Sequence, residues 1–367
     1  MLRVFEPLIS EADNLAVNAA LEGGWISSTG PFVEGFERKL EKTFGVEHAV
    51  TMNSGTSALE AAVHALQLPA GSQVIMPAFT IVSCVNAVLV NDLVPVFVDI
   101  ETTTWNIDCE RVRAAITPET SAIMCVHMYG MTCNVIELER IAKQYQLALI
   151  EDASQVHGAE VDGRQCGSFG DVSVFSFFAN KIVTTGEGGA VCTNSSSIAE
   201  RSRDYRNLYF DAERRFKHRD LGKNFRLTSM QAALGESQLA SIKDTLARKR
   251  ALGEMYLQEF EGLPIRKRLS NSDNTDCVYW MNAFEFEFPI ERDVTDLYQL
   301  MHENGFETRY FFSCLHEQPF LQDRAIISGC LRNSLSASKN GIYFPSSHKV
   351  RLDDIQVMRE ILDGFFS

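Results

Sequence analysis

Positive charge is in short supply in this sequence: 34 Lys and Arg stand against 48 Asp and Glu, a formal net charge of −14. A protein that grips a phosphate backbone needs a basic face to displace counterions, so nucleic acid is not expected as a partner. Any anionic ligand must meet local positive groups or helix N-termini against an unfavourable overall field. Long apolar runs are missing too. No stretch approaches the ~18 uninterrupted apolar residues that mark a spanning helix, and no membrane association is expected. The start, Met1-Leu2-Arg3-Val4-Phe5-Glu6-Pro7, turns acidic and polar by Glu11 and Asp13 without an apolar run and small-residue cleavage site, so a cytoplasmic location is expected. The nine cysteines, scattered from Cys84 to Cys330, never fall as Cys-x-x-Cys, which speaks against a disulfide framework and a zinc knuckle. His-Glu-x-x-His and other metal-ligand spacings are lacking, so no metal is expected; a nucleophile-elbow serine is lacking as well. Gly186-Glu187-Gly188-Gly189 precedes an apolar run instead of linking a strand to a helix and lacks G-x-G-x-x-G, which excludes a nicotinamide-dependent dehydrogenase.

What is present is material for a sizeable core. At 367 residues, 45% of them hydrophobic, the chain exceeds what one core usually organises. A large domain over 1–240 and a smaller α+β domain over 241–367 are expected. Ser10-Glu11-Ala12-Asp13 forms a capping-box pattern ahead of Leu15, Val17 and Leu21, and Gly23-Gly24 supplies a stop, which predicts an N-terminal helix. Apolar runs at 48–52, 73–76, 94–98, 121–127, 147–151 and 172–178 alternate with helix-length segments such as Ser57 to Leu68 and Val135 to Gln146. That rhythm is α/β, with a mostly parallel sheet covered on both faces. Ligands gather at the carboxyl ends of such strands. Met230 to about Leu263 reads as one charged bridging helix, Phe284-Glu285-Phe286-Glu287-Phe288 as a half-buried strand, and Ser270-Asn271-Ser272-Asp273-Asn274 as the most loop-like stretch. Val294 to Asn304 and Asp353 to Phe365 suit further helices.

Three segments carry chemistry. Asn53-Ser54-Gly55-Thr56-Ser57-Ala58-Leu59 follows the strand ending at Met52 and opens a helix, so its free N–H groups and dipole suit an anion such as phosphate. An ordinary N-cap reads the same way. The run Leu147 to Ile150 delivers Glu151-Asp152, placing a carboxylate at a strand's carboxyl end. An acid there suits a pyridine-ring cofactor, whose ring nitrogen needs an anion, and it equally suits a helix cap. Lys181 follows the apolar run Val172 to Phe178 and precedes the glycine-rich Gly186 to Gly189, a setting in which an amine is desolvated and serves as a nucleophile, although a lone Lys is most often a solvated surface group.

Together these stretches resemble the DegT-type family of sugar-nucleotide aminotransferases, within the aspartate-aminotransferase-like fold type I of pyridoxal-phosphate (PLP) enzymes. The resemblance runs from Gly24-Trp25-Ile26-Ser27-Ser28-Thr29-Gly30-Pro31 through Pro77-Ala78-Phe79-Thr80, Val126-His127-Met128-Tyr129-Gly130 and Glu151 to Gly158. It continues over Ser176 to Lys181, Gly222-Lys223-Asn224-Phe225-Arg226-Leu227-Thr228 and Pro345-Ser346-Ser347. Within the family, Ser-Phe-Phe-x-Asn-Lys-x-x-Thr-Thr-Gly-Glu-Gly-Gly is most similar to GDP-perosamine synthases. The resemblance implies that Lys181 holds the cofactor covalently, Asp152 pairs with its ring nitrogen and Gln155 contacts its phenolic oxygen. Gly55, Thr56 and Ser176 match phosphate-binding positions, and Asn224 matches one that reaches the phosphate from a neighbouring subunit, which implies a homodimer with shared sites. His316 matches a histidine near the sugar nucleotide; a surface-loop histidine is the other reading.

Ile81 stands where many relatives place an aromatic residue to stack on the cofactor, Cys314 where they have Pro, and Leu208-Tyr209 where they have a polar-Gly pair. The resemblance implies transfer of an amino group from L-glutamate to a nucleotide-linked 4-keto-6-deoxysugar, with GDP-4-keto-6-deoxymannose suggested by the perosamine-like segment. The alternative is a non-catalytic PLP-binding sensor of the same fold. The retained Lys181 argues against the related dehydratases, which carry His there.

Overall fold

The computed structural model describes residues 1–211, 213, 214, 216–271 and 275–367, so the loop expected at Ser270 to Asn274 lies partly outside the described residues. In chain order the strands are His48–Met52 (β1), Gln73–Pro77 (β2), Val94–Val98 (β3), Thr120–Val126 (β4), Ala148–Asp152 (β5), Glu160–Val161 (β6) and Arg164–Gln165 (β7). They continue with Val172–Ser176 (β8), Gly189–Thr193 (β9), Ile265–Arg268 (β10), Asn282–Phe286 (β11), Arg309–Tyr310 (β12), Ile326–Ile327 (β13) and Gly341–Phe344 (β14). Among the described residues, eight of them form one sheet in the order β1-β9-β8-β5-β4-β2-β3-β13. The pairs from β8 through β13 are parallel, as the alternation with helices requires. β9 runs antiparallel between β1 and β8, because the segment from Phe177 to Gly188 that joins it to β8 contains no crossover helix.

Local chemistry sets the helix ends. Ser10 Oγ accepts the Asp13 N–H at 3.1 Å and Asp13 answers by accepting the Ser10 N–H at 2.8 Å, so the helix Glu11–Glu22 begins as the capping box predicts, and Gly23 ends it. The single bridging helix expected from Met230 onward is instead two, Ser229–Ala240 and Ile242–Glu259. The break is at Ser241, whose hydroxyl donates to Gln238 O at 3.1 Å and competes with the helical ladder. The second helix does bridge: Ile242 and Leu246 pack into the core of the large sheet, Leu252 and Tyr256 into a second core with Phe284, Phe344 and Leu362.

That second core belongs to a four-stranded antiparallel sheet, β10-β11-β14-β12. β11 is buried on both faces, not half-buried as its alternation suggests. Glu285 is only 1% exposed, because the Trp105 indole N–H donates to it at 3.1 Å and Lys267 stands 3.8 Å away. Among the described residues no helix is long and apolar enough to cross a membrane.

β1, β2, β4, β5 and β8 all point the same way, so their carboxyl ends share one edge of the large sheet. Asn53, Ala78, Ala153 and Phe177, each the first residue beyond its strand, start the loops along that edge.

Candidate active site

At the first loop, Ser54 Oγ accepts the Ser57 N–H at 3.1 Å while Ser57 Oγ accepts the Ser54 N–H at 3.1 Å. Ser54 and Ser57 therefore do the capping of the helix Gly55–Leu66, and the first-turn N–H groups of Gly55 and Thr56 stay available to an outside acceptor. The end of β8 closes the other side: a Cβ on Gly55 would stand 2.6 Å from Ser176 Cβ, and one on Gly189 would stand 2.4 Å from Ser54 O. Only glycine fits these two crossings. Thr56 Oγ1 and Ser83 Oγ, 2.8 Å apart, add hydroxyls at the rim, and Ser176 Oγ accepts the Phe178 N–H at 3.4 Å. The result is a turn with two unclaimed N–H groups and several hydroxyls, suited to an oxyanion.

Asp152 is 2% exposed at the end of β5. Its Oδ1 accepts the Ser154 N–H at 3.0 Å and its Oδ2 the Cys84 thiol at 3.4 Å. No helix begins there, since the chain turns through Ala153 to Gly158 into β6, so the helix-cap reading fails. Gln155 is buried and commits its carbonyl oxygen to the Tyr129 N–H at 2.6 Å, so its NH2 donor is what it has left to offer.

Lys181 keeps partial solvent contact, yet its Nζ sits 3.9 Å from the centroid of the Trp280 ring. Burial of the amine lowers its pKa to about 8, against the upward pull of Asp152 and Cys84. His157 packs nearby; burial, then the Lys181 charge, lowers it to about 3, so it is neutral, with Nδ1 accepting the Val183 N–H at 3.2 Å. An amine and a carboxylate close enough to influence each other thus share the strand-end edge with the oxyanion turn.

The remaining expected residues sit around this centre. Ile81 is half-buried at the start of the helix Val82–Leu89, which also carries Cys84. Asn224 is exposed on a segment docked beside the oxyanion turn, where Asn53 N–H donates to Phe225 O at 2.8 Å and Asn224 bridges Asn207. His316 lies on the turn Leu315–Glu317, which is tied to the end of β2 by the Leu315 N–H to Ala78 O bond of 2.8 Å. It is half-buried, its Nδ1 meets no partner among the described residues, and burial lowers its pKa while Glu317 and Asp99 pull it up.

Sequence reasoning missed Trp280, Tyr129 and the bond from Cys84 to Asp152, all of which depend on long-range contacts. Tyr129 adopts a left-handed φ of 53° beside Gly130, and this bend receives Val278 N–H on Gly130 O at 2.8 Å. Leu208 and Tyr209, the pair that departs from the expected polar-Gly, hold φ of 59° and 48°. Each left-handed side chain costs about 1–2 kcal/mol, and Tyr209 answers with a 2.9 Å hydrogen bond to His64. His127, Glu151 and Cys166 bring possible ligand atoms within 4.8 Å of one another, a grouping that sequence spacing did not show. Its bonding is that of a hydrogen-bonded hub: His127 Nδ1 accepts the Cys133 N–H, which leaves Nε2 to donate to Glu151 at 3.1 Å.

The model of the DegT/DnrJ/EryC1/StrS aminotransferase family matches residues 7–362. The chain is 34% identical over 369 residues to GDP-perosamine synthase of Vibrio cholerae, covering all of both sequences. Among solved structures it matches Helicobacter pylori PseC, an aminotransferase of pseudoaminic acid biosynthesis, with a TM-score of 0.91 at 25% identity over 99% of this chain and 98% of that one. It has the same fold as E. coli GDP-4-keto-6-deoxy-D-mannose-3-dehydratase with bound hydrated PLP, with a TM-score of 0.91 at 23% identity over 99% of each chain. With a family model spanning nearly its whole length and a relative aligned end to end, the chain belongs to the DegT/DnrJ/EryC1/StrS aminotransferase family.

Proposed function

We propose that this chain is a PLP-dependent aminotransferase that moves the amino group of L-glutamate onto a nucleotide-linked 4-keto-6-deoxysugar, with 2-oxoglutarate as the second product. The observation that carries it is the pairing of a partly accessible, desolvated amine at Lys181 with the buried carboxylate of Asp152, beside a turn built for an oxyanion. The residues fit the cofactor's three handles. The Gly55 and Thr56 N–H groups with the Ser176 hydroxyl would take its phosphate, Asp152 its ring nitrogen and the Gln155 NH2 its phenolic oxygen. When bound, PLP supplies an aldehyde carbon that accepts an amino group and a ring that draws electrons from the adjacent carbon.

The chain's own groups do the rest. Lys181 would hold the cofactor and, once released, serve as the base. An unperturbed lysine, near pKa ~10.4, is almost wholly protonated at neutral pH, whereas at about 8 a useful fraction of Lys181 is free amine. Its Nζ takes a proton from the α-carbon of glutamate in one half of the exchange and returns one to the sugar carbon in the other, setting that carbon's stereochemistry. Asp152, whose oxygens accept the Ser154 N–H and the Cys84 thiol, would face the ring nitrogen and favour its protonated form.

Asn224, exposed beside the oxyanion turn, would complete the phosphate site of a second copy, which makes the working unit a homodimer. His316, with an unpartnered nitrogen beside the end of β2, would meet the sugar nucleotide. The family relative named GDP-perosamine synthase supports GDP-4-keto-6-deoxymannose as the acceptor and a GDP-perosamine-like product. The test is a panel of GDP-, dTDP- and UDP-linked keto sugars with glutamate, read by mass spectrometry of the sugar nucleotide and of 2-oxoglutarate. Reaction only with UDP-linked sugars would reject the perosamine-like assignment, and a purified protein that forms no pyridoxamine phosphate from PLP and glutamate would favour the sensor reading.

A further inference from the structure

Trp280 lies at the start of the small sheet, far along the chain from Lys181, and is held at both ends. Its indole N–H donates to Asn180 O at 2.7 Å, and its own carbonyl receives Lys249 Nζ at 3.0 Å. Lys249, buried, donates a second bond of 2.6 Å to Ser346 O, which anchors this clamp to the end of the small sheet. The backbone is shaped for the purpose. Tyr279 takes a left-handed φ of 47°, and a Cβ on Gly130 would stand 2.4 Å from Trp280 N, so only glycine lets the two segments meet. A strained non-glycine residue persists only where surrounding structure enforces it. Here it turns the Trp280 ring face toward Lys181 Nζ, 3.9 Å from the centroid.

We propose that Trp280 is a positioning residue for Lys181: its ring face receives the amine whenever that amine is not covalently engaged, favours the ammonium form and keeps it at the site. The inference rests on the proposed role of Lys181 in the preceding section. A ring quadrupole attracts a desolvated cation more strongly than an exposed one. The other groups facing the amine are Asp152 at the end of β5, Cys84 on the helix Val82–Leu89 and neutral His157 on the turn after β5. Asp152 and the ring favour the ammonium; burial opposes them. Trp280 would therefore govern how readily the base regains and gives up its proton in each half of the exchange.

The test uses cofactor-free full-length protein. Its reaction with PLP is trapped by borohydride, located by peptide mass spectrometry and followed from pH 6 to 10 for wild type, Trp280→Phe and Trp280→Leu. The titration of the reagent is common to all three. The expected result is labelling at Lys181 with the pH midpoint lowered by about one unit in Trp280→Leu, the equivalent of ~1.4 kcal/mol of lost ammonium stabilisation, and by less in Trp280→Phe, which keeps a ring. Should Trp280→Leu fail to fold, Trp280→Phe and tryptophan emission of the cofactor-free wild type decide. That emission should step with pH near 8 and lose the step in Lys181→Met. Equal midpoints in all three proteins, or an emission step that survives in Lys181→Met, would overturn the inference while leaving the proposed function standing. An absence of labelling at Lys181 in the wild type would overturn both.

Discussion

The Cys84 thiol donates to Asp152 Oδ2 at 3.4 Å, from a helix on one side of the sheet edge to the end of β5. Burial, then the Asp152 charge, pushes this thiol well above its usual range, so it stays protonated and unreactive. Eight cysteines are buried and Cys330 is exposed. Titration of the native protein with a disulfide reagent at neutral pH should show one fast thiol, abolished by Cys330→Ser, and all nine after denaturation. Fast modification of Cys84 would contradict the buried donor role.

Lys181→Ala should reduce turnover by several orders of magnitude and remove the visible absorption of bound PLP. Asp152→Asn should retain the cofactor but lose about 10²–10⁴-fold in rate, the usual worth of a proton-transfer partner. Isotope exchange at the α-carbon of glutamate reads this step directly. Undiminished exchange in Asp152→Asn would mean that the acid only orders the Ser154 turn.

Gly55→Ala should weaken PLP binding about 10- to 100-fold, since overpacking of this kind costs about 1–3 kcal/mol. The added methyl would stand 2.6 Å from Ser176 Cβ. Ser176→Gly removes that obstacle together with a hydroxyl assigned to the phosphate, so the Gly55→Ala, Ser176→Gly double variant should bind PLP more tightly by spectral titration than the two single losses combined. Losses that simply add would place the damage elsewhere.

Glu151→Gln should destabilise the fold by about 3 kcal/mol or more, as expected for a buried charge acceptor whose donors are left unmatched. Its oxygens accept N–H groups of Gly167, Phe169 and Gly170 and the Ser173 hydroxyl, besides His127. Burial raises its pKa, but His127 and these N–H groups outweigh that and hold it below its usual value. The stability it contributes is therefore present above the ordinary carboxylate range and is lost as pH falls through the lowered value. Denaturant melts between pH 3 and 7 should show a steeper acid loss in wild type than in Glu151→Gln.

Lys249 acts in the same sense but in a higher pH range. Burial lowers its pKa from 10.5 to about 7, while the two carbonyls it donates to favour the charged form. A base depressed in the folded state sheds its proton there before it does so unfolded, so stability rises with pH from about 7 toward 10. Lys249→Met should flatten that rise in melts taken across the same interval. A slope equal to that of wild type would show that the carbonyl bonds hold the amine charged throughout.

Much of the edge that carries the site was readable in advance. Asp152 and Lys181 each follow an apolar run, and Gly55 sits in a short polar turn ahead of a helix; these are local signals, and the strands and helices around them formed within a few residues of expectation. The break at Ser241 was not readable, because a serine competes with the helix only through a side-chain bond, and composition there is helix-compatible. Full burial of β11 was hidden for a related reason. Glu285 looks like a solvent-facing residue until Trp105 and Lys267 arrive from distant segments to pair it.

By itself the sequence determined the α/β rhythm, the strand-end placement of the amine and the acid, and membership of a family recognisable by motif. Those features come from periodicity and turn chemistry, which act over a few residues. Only the tertiary structure decided that Trp280 faces Lys181, that Cys84 bonds Asp152, and that the strand from Gly189 to Thr193 reverses between two parallel neighbours. Such contacts join segments remote in the chain, and they are set by how sheet register and core packing bring those segments together.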